Sequence, residues 1–291
     1  MERTLLPTNF QVEDNMKKIK IVFVSDIHIA PGQDWSNCIW KYTPQDELPA
    51  LVHSFVDIVN NEIKPDIIFE LGDRIIDVDI ATDMKNTATI YHEIDEKVSC
   101  PVVHLDGNHD FVNVSKKELA SILHSPELPY VKMFNGYKIV VFDSLDPMID
   151  GVGGQVSEKQ LKWLENEMSN DDFPKIVLSH HPVNYHEIDR NFLIPSETCP
   201  LMSVKNRDEV RRILENGRNF LFHAAGHLHW WSFRTSDKGT YLVNPPLSAA
   251  HPSRSNAPGW FMEAEVCPDG KVDAKVHSII PRRVVGDFEN R

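Results

Sequence analysis

The stretch IVFVSDIHIA, residues 21–30, sets a run of strand-forming residues directly before Asp26 and His28. An unbroken run of Val, Ile and Phe is typical of a strand that is buried on both faces. A carboxylate and an imidazole at the end of such a run have no place in an apolar core unless they find partners. The position of Asp26 and His28 therefore indicates a chemical role at the end of this strand.

The same arrangement occurs four more times, where an apolar run is followed at once by side chains that can bind metals. The runs are DIIFEL before Gly72 and Asp73, PVVHLD before Gly107, Asn108, His109 and Asp110, KIVLS before His180 and His181, and FLFHAA before Gly226, His227 and His229. In open α/β sheets the carboxyl ends of the strands form the crevice where ligands bind. We therefore expect these side chains to gather in one place. The glycines before Asp73 and Asn108 have two possible explanations. They allow a sharp strand-to-loop turn or a close approach of two backbones, or they only mark an ordinary turn.

Short apolar runs alternate with segments of helical period, which indicates an α/β fold. Strands are expected at 19–25, 66–71, 101–105, 137–143, 175–179 and 219–225. Covering helices are expected at 47–64, 117–124, 157–168 and 205–217, with Ser157 and Asn206 as N-caps and Gly217 as a stop. After Gly226, short strands between turn residues favour a second, more antiparallel sheet.

Composition and net charge limit the classes of partner that the protein is expected to bind. The 291 residues carry 43 acidic and 30 basic side chains, a net charge of -13, without a long basic run. This argues against a nucleic-acid partner and an anionic membrane surface and favours a small substrate. No stretch approaches the roughly 18 apolar residues of a membrane span. The four cysteines are scattered without a CxxC pair, so we predict a reduced, cytoplasmic protein.

The chain has no linker that would divide it. Residues 1–15 precede Met16 and the first strand, and we predict that they are an N-terminal extension or lie upstream of the true start. Residues 16–291 are predicted to form a single domain.

The donor set indicates the kind of metal. Carboxylate, imidazole and amide groups without thiolate suit Mn²⁺, Fe²⁺ or Zn²⁺ and argue against a structural cysteine-type zinc site. Seven or more ligands are too many for one ion. Two ions roughly 3.5 to 4 Å apart, bridged by one carboxylate, form the usual clamp for phosphate-ester hydrolysis.

The full motif set resembles the calcineurin-like metallophosphoesterases, whose signature is DxH, GDxxD, GNHD, a His ahead of a Pro, and GHxH. The corresponding stretches are DIH (26–28), GDRIID (72–77), GNHD (107–110), HHP (180–182) and GHLH (226–229). The nearest likeness is to class III cyclic-nucleotide phosphodiesterases and glycerophosphodiesterases. The resemblance implies a four-layer α-β-β-α sandwich of two mixed sheets, with a dinuclear metal site at the carboxyl ends of the strands.

The resemblance also implies roles for individual residues. One ion would be held by Asp26, His28, Asp73 and His229, and the second by Asp73, Asn108, His180 and His227. His109 would be the catalytic histidine that does not bind metal, and Asp110 would orient it. Asn108 and His109 would contact substrate, and His181 would either contact substrate or support a ligand.

The reaction implied is attack on phosphorus by a water or hydroxide that bridges two divalent ions, most simply Mn²⁺ or Fe²⁺, with Zn²⁺ as an alternative. One departure concerns the second Asp of GDxxD, which is replaced by Ile76 and follows one position later as Asp77. Either the loop bulges there or the contact made by this acid is lost. Arg74 is expected to contact phosphate or to form a solvent ion pair.

Other functions and surfaces stay open at this point. The alternatives to a phosphodiesterase are a phosphomonoesterase or nucleotide hydrolase, and a non-catalytic scaffold. Several side chains could line the cleft, namely Trp35, Trp40, His186, Trp230, Trp231, His251 and Arg254. The C-terminal RRVVGDFENR (282–291) could be a homodimer contact or a frayed tail.

Overall fold

Two six-stranded sheets dominate the structure, a computed structural model that describes residues 17–34, 43, 45–184, 201–248 and 259–290. In the first sheet β1 (Ile19–Val24), β2 (Ile67–Glu70) and β3 (Val102–His104) run parallel. On the other side of β1 the sheet continues antiparallel through β12 (Trp260–Val266), β13 (Val272–Ser278) and β14 (Arg283–Glu289). The order is β14-β13-β12-β1-β2-β3.

The second sheet also has a parallel centre and antiparallel edges. Its parallel strands are β5 (Tyr137–Val141), β8 (Lys175–Leu178), β9 (Phe220–Ala225) and β11 (Gly239–Val243). Its edge strands are β4 (Tyr130–Phe134) and β10 (Ser232–Ser236). A short pair, β6 (Met148–Ile149) and β7 (Gly153–Gly154), lies apart from both sheets.

Five α-helices connect and cover these strands in the described part of the chain. They are α1 (Leu48–Ile58), which continues into a π-helical turn (Val59–Ile63), α2 (Ile80–Ile94), α3 (Lys116–Ile122), α4 (Glu158–Ser169) and α5 (Arg207–Asn216). The side chain of Ser157 accepts a hydrogen bond from the Gln160 N–H and caps α4, as predicted. Asn206 precedes α5 but does not cap it, because its side chain bonds the backbone N–H and C=O of Val156.

Three apolar clusters separate the layers. One lies between the two sheets and includes Phe23, Phe69 and Phe222. A second packs α1 and α2 on the outer face of the first sheet, and a third packs α4 and α5 on the outer face of the second. This confirms the α-β-β-α sandwich with two mixed sheets.

All six expected strands and the four expected helices are present, but three features differ from the sequence analysis. Helix α2 was not expected. The strands after Gly226 do not form a sheet of their own, because β10 and β11 join the second sheet and β12 to β14 join the first. The C-terminal stretch is not a frayed tail within the described residues, since it forms β14. Residues 1–16 lie outside the described part, so the N-terminal extension and the single domain stay predictions.

Candidate metal centre

Five parallel strands, β1, β2 and β3 of one sheet and β8 and β9 of the other, end at one edge of the sandwich. The seven proposed metal ligands follow these ends directly. Five of them have left-handed backbone conformations, namely Asp26 (φ 52°), His28 (φ 49°), Asp73 (φ 55°), His227 (φ 67°) and His229 (φ 55°). Such conformations cost about 1–3 kcal/mol each for ordinary residues and persist where the surroundings enforce them, often at functional sites.

The loops after β1, β2 and β3 are interlocked. The Asp26 N–H donates to the Gly72 carbonyl over 3.0 Å, and the His28 N–H donates to the Asp73 carbonyl over 3.1 Å. Gly72 has φ +89°, and a Cβ there would lie 2.4 Å from the Gly107 nitrogen. A Cβ at Gly107 would lie 2.1 Å from Asp73 Oδ1. The two glycines therefore serve the close backbone approach that we expected, not only a turn.

One group of ligand atoms is formed by Asp26, His28 and His229. The Nε2 atoms of His28 and His229 are 3.0 Å apart, and His229 Nε2 lies 3.4 Å from Asp26 Oδ1. Asp26 and His28 are fully buried, and burial lowers the pKa of His28 to about 3. A neutral imidazole beside an ionised carboxylate is the state that binds a divalent ion.

A second group surrounds Asp73. His180 Nε2 lies 3.3 Å from Asp73 Oδ2 and 3.3 Å from Asn108 Oδ1. His180 Nδ1 donates to the Leu71 carbonyl over 2.8 Å, which directs Nε2 toward the two oxygen atoms. Burial opposes the charged form of His180, but the Asp73 carboxylate prevails and raises the pKa of His180 to about 9. A proton on Nε2 thus balances a charge that a metal ion could balance instead.

Asp73 lies between the two groups. Its Oδ2 atom is 3.8 Å from His28 Nε2 and 3.3 Å from His180 Nε2. Burial acts against ionisation, yet the positive charge of His180 holds the pKa of Asp73 well below its usual range. Its position suits the bridging role that the resemblance implied.

His181 does not face the substrate side, contrary to one of the two roles expected for it. It is fully buried, and its Nδ1 and Nε2 atoms lie 3.1 Å from Ser144 Oγ and 2.8 Å from the Val152 carbonyl. Its ring packs against that of His227, with 3.9 Å between the centroids. The Nε2 atom of His227 lies 3.2 Å from the Leu201 carbonyl, which leaves Nδ1 as its ligand atom. His181 therefore supports His227, because both of its own nitrogens are occupied.

The assignment of Asp110 as the partner of His109 is wrong. His109 Nδ1 lies 2.5 Å from Asp77 Oδ1, so the acid displaced by one position still reaches the histidine. The loop accommodates the extra residue while the Ile76 N–H bonds the Ile29 carbonyl over 3.3 Å. Burial acts against protonation, but Asp73 and the bond to Asp77 raise the pKa of His109 above its usual value.

Asp110 instead accepts three backbone N–H groups, those of Asp73, Arg74 and Gly107, at 2.7 to 2.9 Å. The Arg74 guanidinium, which is also fully buried, bonds the same carboxylate. Arg74 therefore neither contacts phosphate nor forms a solvent ion pair. No sequence signal indicated this, because the contact depends on the folding of two loops.

The structure describes only some of the residues that were expected to line the cleft. Trp35, Trp40, His186, His251 and Arg254 lie outside the described residues. The Trp231 ring packs against Phe288 with 5.1 Å between centroids and is 37% exposed. A cavity of about 980 Å³ lies at the opposite end of the sandwich, beside the starts of β8, β9 and β11, far from these histidines. Choosing a site by cavity size would therefore have pointed to the wrong end of the sandwich.

The donor set fits two divalent ions. In the described residues, carboxylate and imidazole atoms lie within 4.8 Å of one another in the group of Asp26, Asp73 and His180 and in the group of Asp26, His28 and His229. The oxygen and nitrogen atoms that could bind a metal converge from both sheets. At His180 and His227 the other ring nitrogen bonds a backbone carbonyl on the outer side. This is the arrangement expected for cation ligands.

Among the helices that the structure describes, none is long and apolar enough to cross a membrane.

Known proteins with similar sequences and structures indicate the family of this chain. The family model for calcineurin-like phosphoesterases matches residues 19–231. A probable cyclic nucleotide phosphodiesterase from Synechococcus is 24% identical over 184 residues, which span 62% of this chain and 66% of that protein. A probable glycerophosphodiester phosphodiesterase from Arcobacter nitrofigilis is 28% identical over 249 residues, 81% of this chain and 80% of that protein.

Among solved structures, a dimetal phosphatase from Danio rerio shares the fold with a TM-score of 0.68 at 18% identity, covering 93% of this chain and 98% of that one. The residues that meet at the strand ends are also those of the family's motifs, and the family model spans most of the sequence. The chain belongs to the calcineurin-like phosphoesterase family.

Proposed function

We propose that the protein is a dinuclear metal-dependent phosphodiesterase that hydrolyses a small diester of the cyclic-nucleotide or glycerophosphodiester type. The observation that carries this is the convergence of ligand atoms from five strand ends into two groups that share Asp73. Family membership and the names of the two relatives support the reaction class and the substrate class.

The residues would divide between two ions that share one carboxylate. One set is Asp26, His28, Asp73 and His229, and the other is Asp73, Asn108, His180 and His227. The mixture of oxygen and nitrogen donors favours Mn²⁺ or Fe²⁺, with Zn²⁺ as an alternative. When bound, such a pair supplies activated water and charge neutralisation at the phosphate.

His109 is proposed as the catalytic histidine. Asp77 holds its Nδ1 atom, so Nε2 is the nitrogen that can donate a proton to the leaving oxygen or a hydrogen bond to a phosphoryl oxygen. Its raised pKa favours the imidazolium that this role needs. The Asn108 amide would orient the phosphate through its Nδ2 group while Oδ1 faces the second ion.

The choice of a diester over a monoester rests on charge. A terminal phosphate carries a second negative charge and is usually met by a cationic side chain. Arg74, which directly follows Asp73, is buried among acids and cannot serve. A phosphomonoesterase or nucleotide hydrolase is the second candidate, and Arg254 is a residue that could favour it. A scaffold role is disfavoured because every ligand position of the motif set is filled.

The test is hydrolysis of bis(p-nitrophenyl) phosphate against p-nitrophenyl phosphate by metal-stripped protein restored with Mn²⁺. We expect diester preference that requires Mn²⁺. Asp73→Asn should lose both metal and activity, whereas His109→Ala should keep both ions and lose about 10²–10⁴-fold in turnover. Preference for the monoester would support the second candidate. If the protein binds two ions but hydrolyses neither compound, the phosphodiesterase assignment is wrong.

The physiological diester would then be sought by competition. Cyclic AMP, cyclic GMP and glycerophosphoethanolamine would each be tested as inhibitors of aryl diester hydrolysis and as substrates. The net charge of -13 argues for such small compounds over nucleic acid. A cytoplasmic location is part of the same proposal, and cell fractionation would test it.

A homodimer is proposed through β14, the outer strand of the first sheet among the described residues. Val284 on this strand is 49% exposed. Antiparallel pairing of two β14 strands about Gly286 would set Arg283 opposite Glu289 of the partner subunit. In sedimentation experiments Arg283→Glu should give monomers, and adding Glu289→Arg should restore dimers. A wild-type monomer at all concentrations would contradict this proposal.

A further inference from the structure

Arg74 is the largest fully buried side chain of the described structure, with 0% exposure. Its Nη1 atom donates to Asp110 Oδ2 over 2.9 Å, and its Nη2 atom donates to the Leu105 carbonyl over 2.6 Å. Nη2 also forms an ion pair with Glu70, and Asp106 Oδ1 lies 3.6 Å from Nη1. One guanidinium thus meets several acceptors, one on β2 and the others in the loop after β3.

The two carboxylates paired with Arg74 also hold the backbone of the metal-bearing loops. Asp110 accepts the N–H groups of Asp73 over 2.8 Å and Gly107 over 2.7 Å. Glu70 Oε1 accepts the Gly72 N–H over 3.0 Å. The loop after β2, which carries Asp73, and the loop before Asn108 are therefore both tied to acids whose charge Arg74 balances.

These ties act where the backbone is under strain. Asp73 has φ 55°, a conformation that survives only if its surroundings enforce it. The Gly72 and Gly107 backbones approach so closely that a Cβ at either position would clash with the neighbouring loop. Buried like charges left without a counter-ion repel strongly and bring in water. Without Arg74, Asp110 would lose its buried counter-ion and Glu70 would keep only the His104 contact among the described ion pairs. The two acids would then hold the loops together less firmly.

We propose that Arg74 is a positioning residue for the candidate metal centre, which through Glu70 and Asp110 fixes the Asp73 carboxylate and the Asn108 amide beside His180 Nε2, where they could bind the same ion. This rests on the proposed function, because it assumes that these residues bind metal. The competing explanation is that Arg74 only stabilises the fold. The two explanations differ in what happens to metal affinity in molecules that are folded.

The test is Mn²⁺ binding to metal-stripped protein by isothermal titration calorimetry, with Arg74→Met and Arg74→Lys compared to the wild type. Circular dichroism and urea unfolding would establish that each variant is folded at the temperature used. We expect Arg74→Met to bind Mn²⁺ at least about ten-fold more weakly, as is typical when a group that orients a ligand is lost. Arg74→Lys should lie between, because one ammonium cannot bond both carboxylates in the way a planar fork does.

A matched control is Lys138→Met, which removes another buried cation. Lys138 is 3% exposed and pairs with Glu167 over 2.8 Å and Asp171 over 2.6 Å, near the start of β5 and away from the strand ends. Its loss should lower the unfolding free energy and leave Mn²⁺ affinity within about two-fold of the wild type. The comparison separates lost stability from lost positioning.

Each outcome decides the question. Weaker binding by folded Arg74→Met, with normal binding by Lys138→Met, supports the proposal. Wild-type affinity in folded Arg74→Met overturns it and leaves Arg74 as a structural ion pair. If Arg74→Met does not fold, Arg74→Lys decides in the same way, since full affinity there overturns it. The titration would be repeated with Fe²⁺ and Zn²⁺, and a wild-type protein that binds none of the three ions would instead refute the proposed function itself.

Discussion

At the scale of single residues, the bond between His109 and Asp77 is the contact with the clearest consequence. We expect Asp77→Asn to keep both ions and to lower kcat by roughly 10- to 100-fold, because the ring keeps a neutral acceptor but loses the charge that favours imidazolium. Asp110→Asn should instead weaken Mn²⁺ binding, since Asp110 ties the loops that carry the proposed ligands Asp73 and Asn108. Measured kcat and metal content of the two variants check this. The reverse pattern would restore Asp110 as the partner of His109.

His104 provides a second prediction, on stability against pH. It is 5% exposed and lies between Asp95, 2.8 Å from Nε2, and Glu70, 3.1 Å from Nδ1. Burial acts against the charged form, but the bonds to Asp95 and Glu70 raise the pKa of His104 above 6.5.

A raised folded-state pKa stabilises the fold fully below the unfolded-state value, and this contribution is lost as the pH rises through the folded-state value. His104→Gln should therefore lower the unfolding free energy by about 2 kcal/mol at pH 6 and by less at pH 9.5. Urea unfolding at both pH values, with Mn²⁺ held constant, measures the difference. An equal loss at both would show that His104 acts only through packing.

That the proposed ligands would meet could be predicted from sequence because each follows an apolar run directly, and the structure brings these side chains together at the strand ends. The supporting contacts could not. Asp77 reaches His109 through a loop with one extra residue, whereas Asp110 is adjacent in sequence but turns toward the N–H groups of Asp73 and Gly107. His181 was ambiguous for a similar reason, since only the fold brings Ser144 to its ring.

At the scale of elements, α2 shows where hydrophobic periodicity fails. Its buried positions follow a helical spacing, but they include Asp83, Asn86 and Thr87 beside Ile90 and Ile94. Asp83 is buried because it accepts from the Val78 N–H and from the Asn113 amide. The inner face of α2 is polar, and its polar side chains are hydrogen-bonded to residues outside the helix. In the sequence such a face cannot be told from a solvent-exposed one, so the helix was not expected. The division of the C-terminal strands between the two sheets could not be predicted either, because the pattern of a strand does not show which strand it pairs with.

The start of α4 gives a prediction at this scale. Ser157 Oγ accepts the Gln160 N–H over 3.3 Å and donates to Asp146 Oδ2 over 2.6 Å. Ser157→Ala should lower the unfolding free energy by about 1 kcal/mol, since an N-terminal N–H then lacks its acceptor. Ser157→Thr keeps the hydroxyl and should cost much less. Urea unfolding of both variants is the measurement, and equal losses would assign the effect to packing.

At the scale of the whole molecule, the proposed metal ligands come from both sheets. Asp26, Asp73 and Asn108 follow strands of the first sheet, and His180 and His227 follow strands of the second. An ion bound by residues of both sheets binds the folded chain and not the unfolded one, so it stabilises the sandwich as a whole. Without ions, burial works against the charged forms of Asp26 and Asp73, and nearby histidines offset it by holding the pKa of each carboxyl below its usual value.

Metal removal should therefore lower Tm. Ions at 100 times their dissociation constant contribute about 2.7 kcal/mol per site, and each kcal/mol corresponds to roughly 2–4 °C in a domain somewhat smaller than this chain. We expect Mn²⁺ to raise the Tm of stripped protein by about 5 °C or more, and Asp73→Asn to abolish most of that rise. Asp237→Asn, a change at an exposed turn between β10 and β11, should keep it. Differential scanning calorimetry gives the three shifts. A full shift in Asp73→Asn would mean that Mn²⁺ stabilises the fold somewhere other than between these two sheets.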